Sequence, residues 1–405
     1  MRDAAPADAA AVSGKGELFR SSLGRLLLLT LLFFVNFMAR IVQAPLMPAI
    51  EQDLGITHAE AGSLFLILSM GYFITLLGSG FVSARLTHRR TMALSIACAG
   101  MALLATAASE SLSGIRIGLL LIGLSTGLYL PCAIAAITSF VGPRHWGKAI
   151  AVHESAPNLA FVLAPLFAEA MLSFSGWRTA LAGLGVGALL TGGIFQIFGR
   201  IGSFAGEAPN IRSIGVIARQ PSYWLMILLF GLGISGSLGL YTMLPLFLVN
   251  AHGLERDFAN TLLALSRVPG VLAAFGSGWV TDRIGPRRTM TLILALNGLA
   301  TVALGVAPMP WLPVLVFVQP ALAVCFFPAG FAAISRIAPA GARNIAVSMV
   351  TPFAFMIGAG AAPALIGWAG DLHSFSAGFL VVGGLVVTGA LMSGFLALDR
   401  RPAGR

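Results

Sequence analysis

Apolar stretches of about 20 residues recur along the whole length of this 405-residue chain. A helix of that length, rising about 1.5 Å per residue, crosses the ~30 Å hydrocarbon core of a bilayer. We therefore predict an all-α integral membrane protein with twelve transmembrane helices. Their expected ranges are 24–48, 59–82, 91–108, 114–139, 149–172, 179–198, 222–249, 258–281, 289–307, 312–335, 345–368 and 375–397.

The composition agrees with a membrane protein and argues against several other classes. Hydrophobic residues make up 57% of the chain and charged residues 10%, whereas soluble domains have about 25% charged residues. The net charge of +10 does not indicate nucleic-acid binding, because the basic residues lie in short clusters between the predicted spans. Cys98, Cys132 and Cys325 lie in apolar segments, without a CxxC motif or a histidine at ligand spacing. We expect no disulfide, no metal and no cofactor.

The distribution of basic residues predicts the orientation of the chain. Nearly all Lys and Arg outside the spans fall on one side of the membrane if both termini share that side, and only Arg178 and Arg256 fall in loops on the other. The positive-inside rule then places both termini in the cytoplasm. Lys15 and Lys148 are the only lysines among 25 basic residues, a bias typical of GC-rich prokaryotic genomes. We expect a multi-pass protein of a bacterial inner membrane.

The chain divides into two similar halves. A polar stretch with several glycines and arginines, 200–220, predicts a cytoplasmic linker. The segment GFVSARLTHRR (80–90) matches GWVTDRIGPRR (278–288), and Pro45 pairs with Pro245 in the same way. We expect cytoplasmic tails at 1–22 and 398–405, and two pseudo-symmetric six-helix bundles at 23–199 and 221–397.

The second copy of this segment resembles the signature GxxxDRxGxRR of the major facilitator superfamily at every position. The resemblance implies a transporter that works as a monomer by alternating access, with substrate held between the halves near the bilayer midplane. The first copy departs from the signature at Ala84 and Thr87. A competing interpretation is that the arginines only obey the positive-inside rule. The expected gating residues are Gly278, Asp282, Arg283, Gly285, Arg287, Arg288, Arg85, Arg89 and Arg90.

Two arginines lie where charge is costly, deep within predicted spans. Arg40 lies about 22 Å along the first helix, with Asn36 one turn below it, and Arg267 lies near the middle of the eighth. Neither has an arginine at the matching position of the other half, so the repeat does not require them. Two bidentate donors from opposite halves suit a small anion, and the first helix resembles the anion-transporting branches of the family. The alternative is that each arginine pairs with a helix end, backbone carbonyls or a nearby acid.

A histidine and a glutamate in the fifth span are the candidates for proton coupling. His153 and Glu154 stand where the second half has Ser348 and Met349. Partly dry surroundings move the pKa values of such groups toward neutrality, where they can exchange a proton. Both lie near the cytoplasmic end of the helix, so a salt bridge with the basic residues at 144–148 is an equally simple explanation.

The sequence favours proton-coupled symport of a small anion such as a monocarboxylate, with the substrate, protons and lipid as the partners. Hydroxyl and amide groups within the spans could orient the ligand, and these belong to Tyr72, Tyr129, Tyr241 and Asn158. The alternative function is proton-driven export of hydrophobic or drug-like compounds, for which the Phe- and Met-rich spans would line the cavity. Enzyme activity is disfavoured because no nucleophile with a base, metal constellation or phosphate loop is present.

Overall fold

The computed structural model describes residues 19–199, 201–206, 215, 218–337, 343–372 and 374–398, and these residues form helices without strands. Twelve of the described helices are long and apolar enough to span a membrane, which confirms the predicted number. The expected tails lie largely outside the described residues, as does more than half of the expected linker. We label the spans α1 Ser22–Leu54, α2 His58–Leu86, α3 His88–Ala107, α4 Leu112–Phe140, α5 Pro143–Phe174, α6 Trp177–Phe198, α7 Pro221–Ala251, α8 Arg256–Ile284, α9 Pro286–Val306, α10 Leu312–Ile337, α11 Ser348–Leu372 and α12 Phe375–Phe395.

Small residues bring the peripheral helices of each half into backbone contact. A Cβ atom on Gly100 of α3 would lie 2.8 Å from the carbonyl oxygen of Gly185 in α6. The matching pair in the second half, Gly298 of α9 and Gly383 of α12, gives 2.9 Å for the same construction. Small residues at such crossings allow close van der Waals packing in lipid, where no hydrophobic effect drives helices together. The two halves therefore repeat in packing as well as in sequence.

Helices α7 and α11 contain wider π turns beside the middle of the bundle. These turns span Ser235–Gly239 and Phe247–Ala251 in α7 and Met356–Ala361 in α11. Pro245 and Pro352 lie in the same helices, and a proline removes one backbone donor from the helix ladder. Such turns leave carbonyl groups available to side chains and are frequent at functional sites.

The two ends of the bundle differ in charge. The loops after the odd-numbered helices lie at one end, which we call the acidic end because carboxylates such as Glu51, Asp53 and Glu60 gather there. The loops after the even-numbered helices lie at the opposite, basic end. Between the halves, α1 packs against α7, α2 against α11 and α5 against α8.

Hydrogen bonds join the two halves at the acidic end. Arg256 of α8 donates two hydrogen bonds to Glu169 of α5, at 3.2 and 3.0 Å, and Asn260 donates a third at 3.0 Å. The conformation is therefore closed at the acidic end. The remaining bonds between the halves run from Asn250 to Glu51, from the amides of His58 and Ala59 to Asp371, and from Asn260 to the Pro45 carbonyl.

Candidate substrate site between the two halves

Arg40 lies in α1, two residues before a break in the regular helix at Val42, and aromatic rings from both halves surround it. Its side chain is only 7% exposed. The guanidinium carbon lies 4.2 Å from the ring centre of Tyr72 and 4.7 Å from that of Phe37, both in the first half. Phe355 of α11 approaches from the second half at 5.8 Å. The cation is thus held by aromatic faces at the interface between the halves.

Arg267 has the reciprocal position in α8. It is 6% exposed, and Pro269 shortly after it loosens the local helix ladder. Its guanidinium carbon lies 4.6 Å from the ring centre of Phe161, in the first half, and 4.7 Å from that of Tyr241, in the second. One guanidinium nitrogen donates a hydrogen bond of 3.1 Å to the carbonyl of Ser237, in a π turn of α7. Arg267 is therefore also in contact with both halves.

Direct ring contacts connect the two arginines. The rings of Phe37 and Phe161 meet edge to face, with centres 5.2 Å apart, and Phe161 meets Tyr241 in the same manner at 4.9 Å. Tyr72 and Phe355 are 5.3 Å apart across the interface. These contacts form one continuous group, the arginine–aromatic cluster, which consists of Arg40, Arg267, Phe37, Tyr72, Phe161, Tyr241 and Phe355.

The cluster holds more positive charge and more hydrogen-bond donors than it satisfies. Among the described residues, no Asp or Glu forms an ion pair with Arg40 or Arg267. The Nε atom of Arg40, the Nε and Nη1 atoms of Arg267 and the hydroxyl of Tyr241 are buried without a hydrogen-bond partner. Buried donors of a charged group are costly when unsatisfied, and aromatic faces offset only part of that cost. A ligand that carries hydrogen-bond acceptors would satisfy them.

A small cavity lies beside Arg40, lined also by Tyr72, Ser69, Thr242 and Phe355. Its volume of about 20 Å³ is enough for one or two water molecules. A larger ligand therefore fits only if the surrounding aromatic rings separate.

Three other predicted ligand-binding residues lie apart from this cluster. Asn36 is buried in the first half, where its amide donates to the Ser95 hydroxyl and the Thr126 carbonyl, each at 3.3 Å. Asn158 is exposed, and its amide donates to the carbonyl of Glu154 one turn earlier. The remaining residue, Tyr129, belongs with the predicted proton-coupling pair.

His153 is completely buried in the first half, stacked on Phe33 with ring centres 4.5 Å apart. The hydroxyl of Tyr129 donates to the Leu29 carbonyl at 2.6 Å and lies 3.3 Å from Nε2 of His153. Because that hydroxyl proton is already used, Nε2 carries the imidazole hydrogen and Tyr129 accepts it. The other nitrogen, Nδ1, lies 3.7 Å from the carboxylate of Glu154, which is 47% exposed. The two groups are neighbours, but 3.7 Å is longer than a hydrogen bond, and Nδ1 is buried without a hydrogen-bond partner.

The repeated loop segments begin the third and ninth helices in the same backbone conformation. Gly285 has φ +86°, a region that glycine occupies freely, and its counterpart Thr87 has φ +81°. Arg89 donates to the carbonyl of Gln196 at the end of α6. Arg287 makes the corresponding bond to Gly394 at the end of α12. These two arginines thus cap a helix of their own half, where a cation interacts favourably with free carbonyls.

The other residues of the predicted gating motif make fewer contacts in this conformation. Arg283 stacks on Trp279, with its guanidinium carbon 3.8 Å from the ring centre. Asp282 is exposed and has no ion-pair partner within the described ranges. Arg85, Arg90 and Arg288 also lack ion pairs there, and a Cβ atom on Gly278 would meet nothing within 4 Å.

Several residues of the site were missed by the sequence reasoning. Phe37 could have been found, because it lies three residues before Arg40 and hence on the same helix face. Phe161 and Phe355 carry no signal among 27 phenylalanines, since their contacts depend on how α5 and α11 pack. Glu169 was missed as well, since only the structure shows that it pairs with Arg256.

Twelve spanning helices arranged as two repeated halves around a buried cationic centre define a membrane transport protein. The chain belongs to the Major Facilitator Superfamily, whose family model matches residues 29–277 and 242–405. It is accordingly a multi-pass secondary transporter of small molecules, not an enzyme.

Individual relatives are distant. The chain is 22% identical to the 4-hydroxybenzoate transporter of Pseudomonas putida over 315 residues, which cover 69% of this chain and 70% of that protein. It is 26% identical to the chloramphenicol resistance protein of Streptomyces lividans over 363 residues, covering 87% and 90%. A solved bacterial homologue of the human lysosomal transporter Spinster, in an inward-facing and occupied conformation, superposes with a TM-score of 0.77 at 17% identity, over 93% of this chain and 97% of that one. This likeness shows the fold.

Proposed function

We propose that this protein is a proton-coupled symporter of a small organic anion, and that the anion is a monocarboxylate. The observation that carries the proposal is the pair of buried, unpaired arginines in contact with both halves. A carboxylate accepts two parallel hydrogen bonds from a guanidinium, so it matches the free donors of Arg40 and Arg267. Charge neutralisation by the substrate would stabilise a conformation in which the halves close around it.

The aromatic side chains favour a substrate with a planar ring. When the rings of Phe37 and Phe161 separate, a substrate ring could take the place of their mutual contact, while its carboxylate binds an arginine. Offset or edge-to-face ring contacts are worth about 0.5–1.5 kcal/mol beyond the burial of area. The relative whose name gives 4-hydroxybenzoate as its substrate supports this class.

The proton would be carried by Glu154, His153 and Tyr129. Glu154 is the accessible member, and the imidazole of His153 receives or returns the proton through its Nδ1 atom. Tyr129 fixes the orientation of the imidazole from its other side. Protonation before anion binding would keep the net charge moved per cycle small.

Alternating access would operate between the two ends described above. The positive-inside rule assigns the basic end and both termini to the cytoplasm, so the closed acidic end faces outward. In this assignment the structure is an inward-facing or occluded state of a bacterial inner-membrane protein. Asp282, with Arg283 and the other motif residues at the basic end, would form gate contacts when that end closes.

Proton-driven export of hydrophobic compounds is the second candidate. The aromatic lining and the relative named for chloramphenicol resistance favour it. The two unpaired arginines argue against it, because they would remain unsatisfied around a neutral compound.

Uptake into liposomes distinguishes the two functions. The purified protein is reconstituted, and uptake of labelled aromatic and aliphatic monocarboxylates, nitrate and cationic dyes is measured with and without an inward proton gradient. We expect gradient-stimulated uptake of aromatic monocarboxylates that is lost in Arg267→Gln and weakened in Arg267→Lys, which keeps the charge but not the bidentate geometry. Arg116→Gln, at an exposed arginine of α4 near Glu60, is the matched control and should retain uptake. Dye transport that is insensitive to Arg267→Gln would refute the symporter and support export.

A further inference from the structure

A groove of about 820 Å³ opens at the basic end of the second half, where the start of α9 meets the ends of α10 and α12. Arg287, Arg288 and Arg336 line the groove, and apolar side chains such as Leu292 and Ala295 lie next to them. The groove is separate from the arginine–aromatic cluster, which lies between the halves. Arg287 and Arg288 belong to the predicted gating motif, whereas Arg336 and the apolar part of the lining have no role in the proposed transport cycle.

Two of the three arginines are available to a ligand. Arg287 is engaged, because it donates to the carbonyl of Gly394. Arg288 and Arg336 have no hydrogen-bond or ion-pair partner within the part of the chain that the structure describes. Two guanidinium groups that line one groove provide several donors in the geometry that binds phosphate oxygens.

The first half shows that this groove is not a necessary result of the repeat. At the matching place, the chain segment 201–206 covers the start of α3. The amide of His88 donates to the Phe204 carbonyl at 3.0 Å, and the amide of Arg89 donates to the Gly202 carbonyl at 2.8 Å. Pro286 stands where His88 stands in the first half and has no amide hydrogen to offer. The second half therefore cannot form the bond that the His88 amide makes to the chain after α6 in the first half.

We propose that this groove binds the headgroup phosphate of an anionic phospholipid, with an acyl chain along its apolar wall. The groove lies at the end of the spanning helices, at the depth where headgroups are found. Basic pockets between helices at the basic side of membrane proteins bind such lipids through the same chemistry. The exposed side chain of Leu292 continues the groove toward the hydrocarbon region.

Native mass spectrometry of the full chain can test the site. The protein is released from detergent with equal amounts of phosphatidylglycerol and phosphatidylcholine, and the ratio of bound lipids is compared between variants. We expect a preference for phosphatidylglycerol that falls about fivefold for each arginine removed, and so about 25-fold in Arg288→Gln/Arg336→Gln. Arg288→Lys/Arg336→Lys retains the charge and should keep most of the preference, which separates loss of binding from misfolding.

The repeat supplies a matched control, because Arg90 occupies the position of Arg288 in the first half. Arg90→Gln should leave the lipid preference unchanged. An equal loss in Arg90→Gln, or no loss in the double glutamine variant, would overturn the proposal. Competition by soluble glycerol 3-phosphate at the lipid's own concentration would show a site for free phosphate instead. Stronger lipid binding after truncation beyond Leu398 would show that the chain's own end occupies the groove, and would also overturn it.

Discussion

The pairing of Arg256 with Glu169 allows a quantitative test of how the acidic end stays closed. The substitution Glu169→Gln removes the charge from the acceptor of three hydrogen bonds that cross the interface. Charge-assisted hydrogen bonds contribute about 1.5–3 kcal/mol when well buried, whereas exposed ion pairs contribute about 0.2–1 kcal/mol. The side chains of Arg256 and Glu169 are 37% and 21% exposed, so solvent screening reduces the sum to about 1–2 kcal/mol.

This free energy predicts the size of the conformational shift. A loss of about 1–2 kcal/mol changes the ratio of open to closed acidic ends roughly 5- to 30-fold. Spin labels at Glu110→Cys and Met309→Cys, in the α3–α4 and α9–α10 loops, report the separation of the halves at this end once Cys98, Cys132 and Cys325 are replaced. Pulsed dipolar spectroscopy should show a longer-distance population that grows by this factor in Glu169→Gln.

The control for this experiment is Asp257→Asn, which removes a neighbouring charge at the same end. The Asp257 carboxylate accepts from the amide of Phe258 and does not cross the interface. A distance distribution that is unchanged in Glu169→Gln, or that changes equally in Asp257→Asn, would refute the reasoning. In a double-mutant cycle with Arg256→Gln, the two single changes should be strongly non-additive.

Three further substitutions test the backbone conformation at Thr87, the helix contact at Gly123 and the proton-coupling role of Glu154. Thr87→Gly should raise the midpoint of thermal unfolding, because a φ of +81° costs a threonine about 1–3 kcal/mol, more than its weak N-cap bond contributes. Gly123→Ala should lower that midpoint, since its Cβ atom would lie 2.1 Å from the Leu68 carbonyl oxygen, whereas Gly78→Ala has open space and should not. Glu154→Gln should abolish stimulation of uptake by a proton gradient but leave substrate exchange intact. A lower midpoint in Thr87→Gly, an unchanged one in Gly123→Ala, or continued stimulation in Glu154→Gln would contradict the corresponding argument.

The fold was predictable because each transmembrane helix satisfies its backbone locally and so leaves an independent signal in the sequence. The number of spans, the family and the repeat were all readable in this way. The ends of the helices were predicted less accurately. Helix α1 continues to Leu54 and α5 begins at Pro143, both outside the apolar stretches from which the spans were predicted. Capping groups such as the Thr57–Glu60 pair at the start of α2, and contacts outside the hydrocarbon region, determine those ends.

The charged and hydroxyl-bearing residues of the candidate site could be predicted from the sequence, whereas its phenylalanines were not. Burial of Arg40 and Arg267 follows from their position in long apolar stretches, so the sequence could single them out. Tyr72 and Tyr241 were also singled out, because their hydroxyls lie within predicted spans, and both contact the arginines. Phe161 and Phe355 could not be found, because they come from helices distant in the chain. Asn36 shows why sequence proximity to Arg40 did not predict the contacts of a residue. Although it lies one turn from Arg40, its side chain binds α3 and α4 of its own half. Helix α1 is largely buried, so its successive turns contact different helices.

The segment 201–206 has a practical consequence for dividing the molecule. Its carbonyls accept the amides of His88 and Arg89, and the amide of Gly206 donates to the Ser83 carbonyl at 3.0 Å. These residues are therefore part of the first half, although the sequence alone groups them with the connection to the second. A split transporter, expressed as two complementary fragments, should assemble best when the break lies after Gly206. A break before Ile201 would place segment 201–206 on the second fragment. The first fragment would then lose the hydrogen bonds that this segment makes at the start of α3.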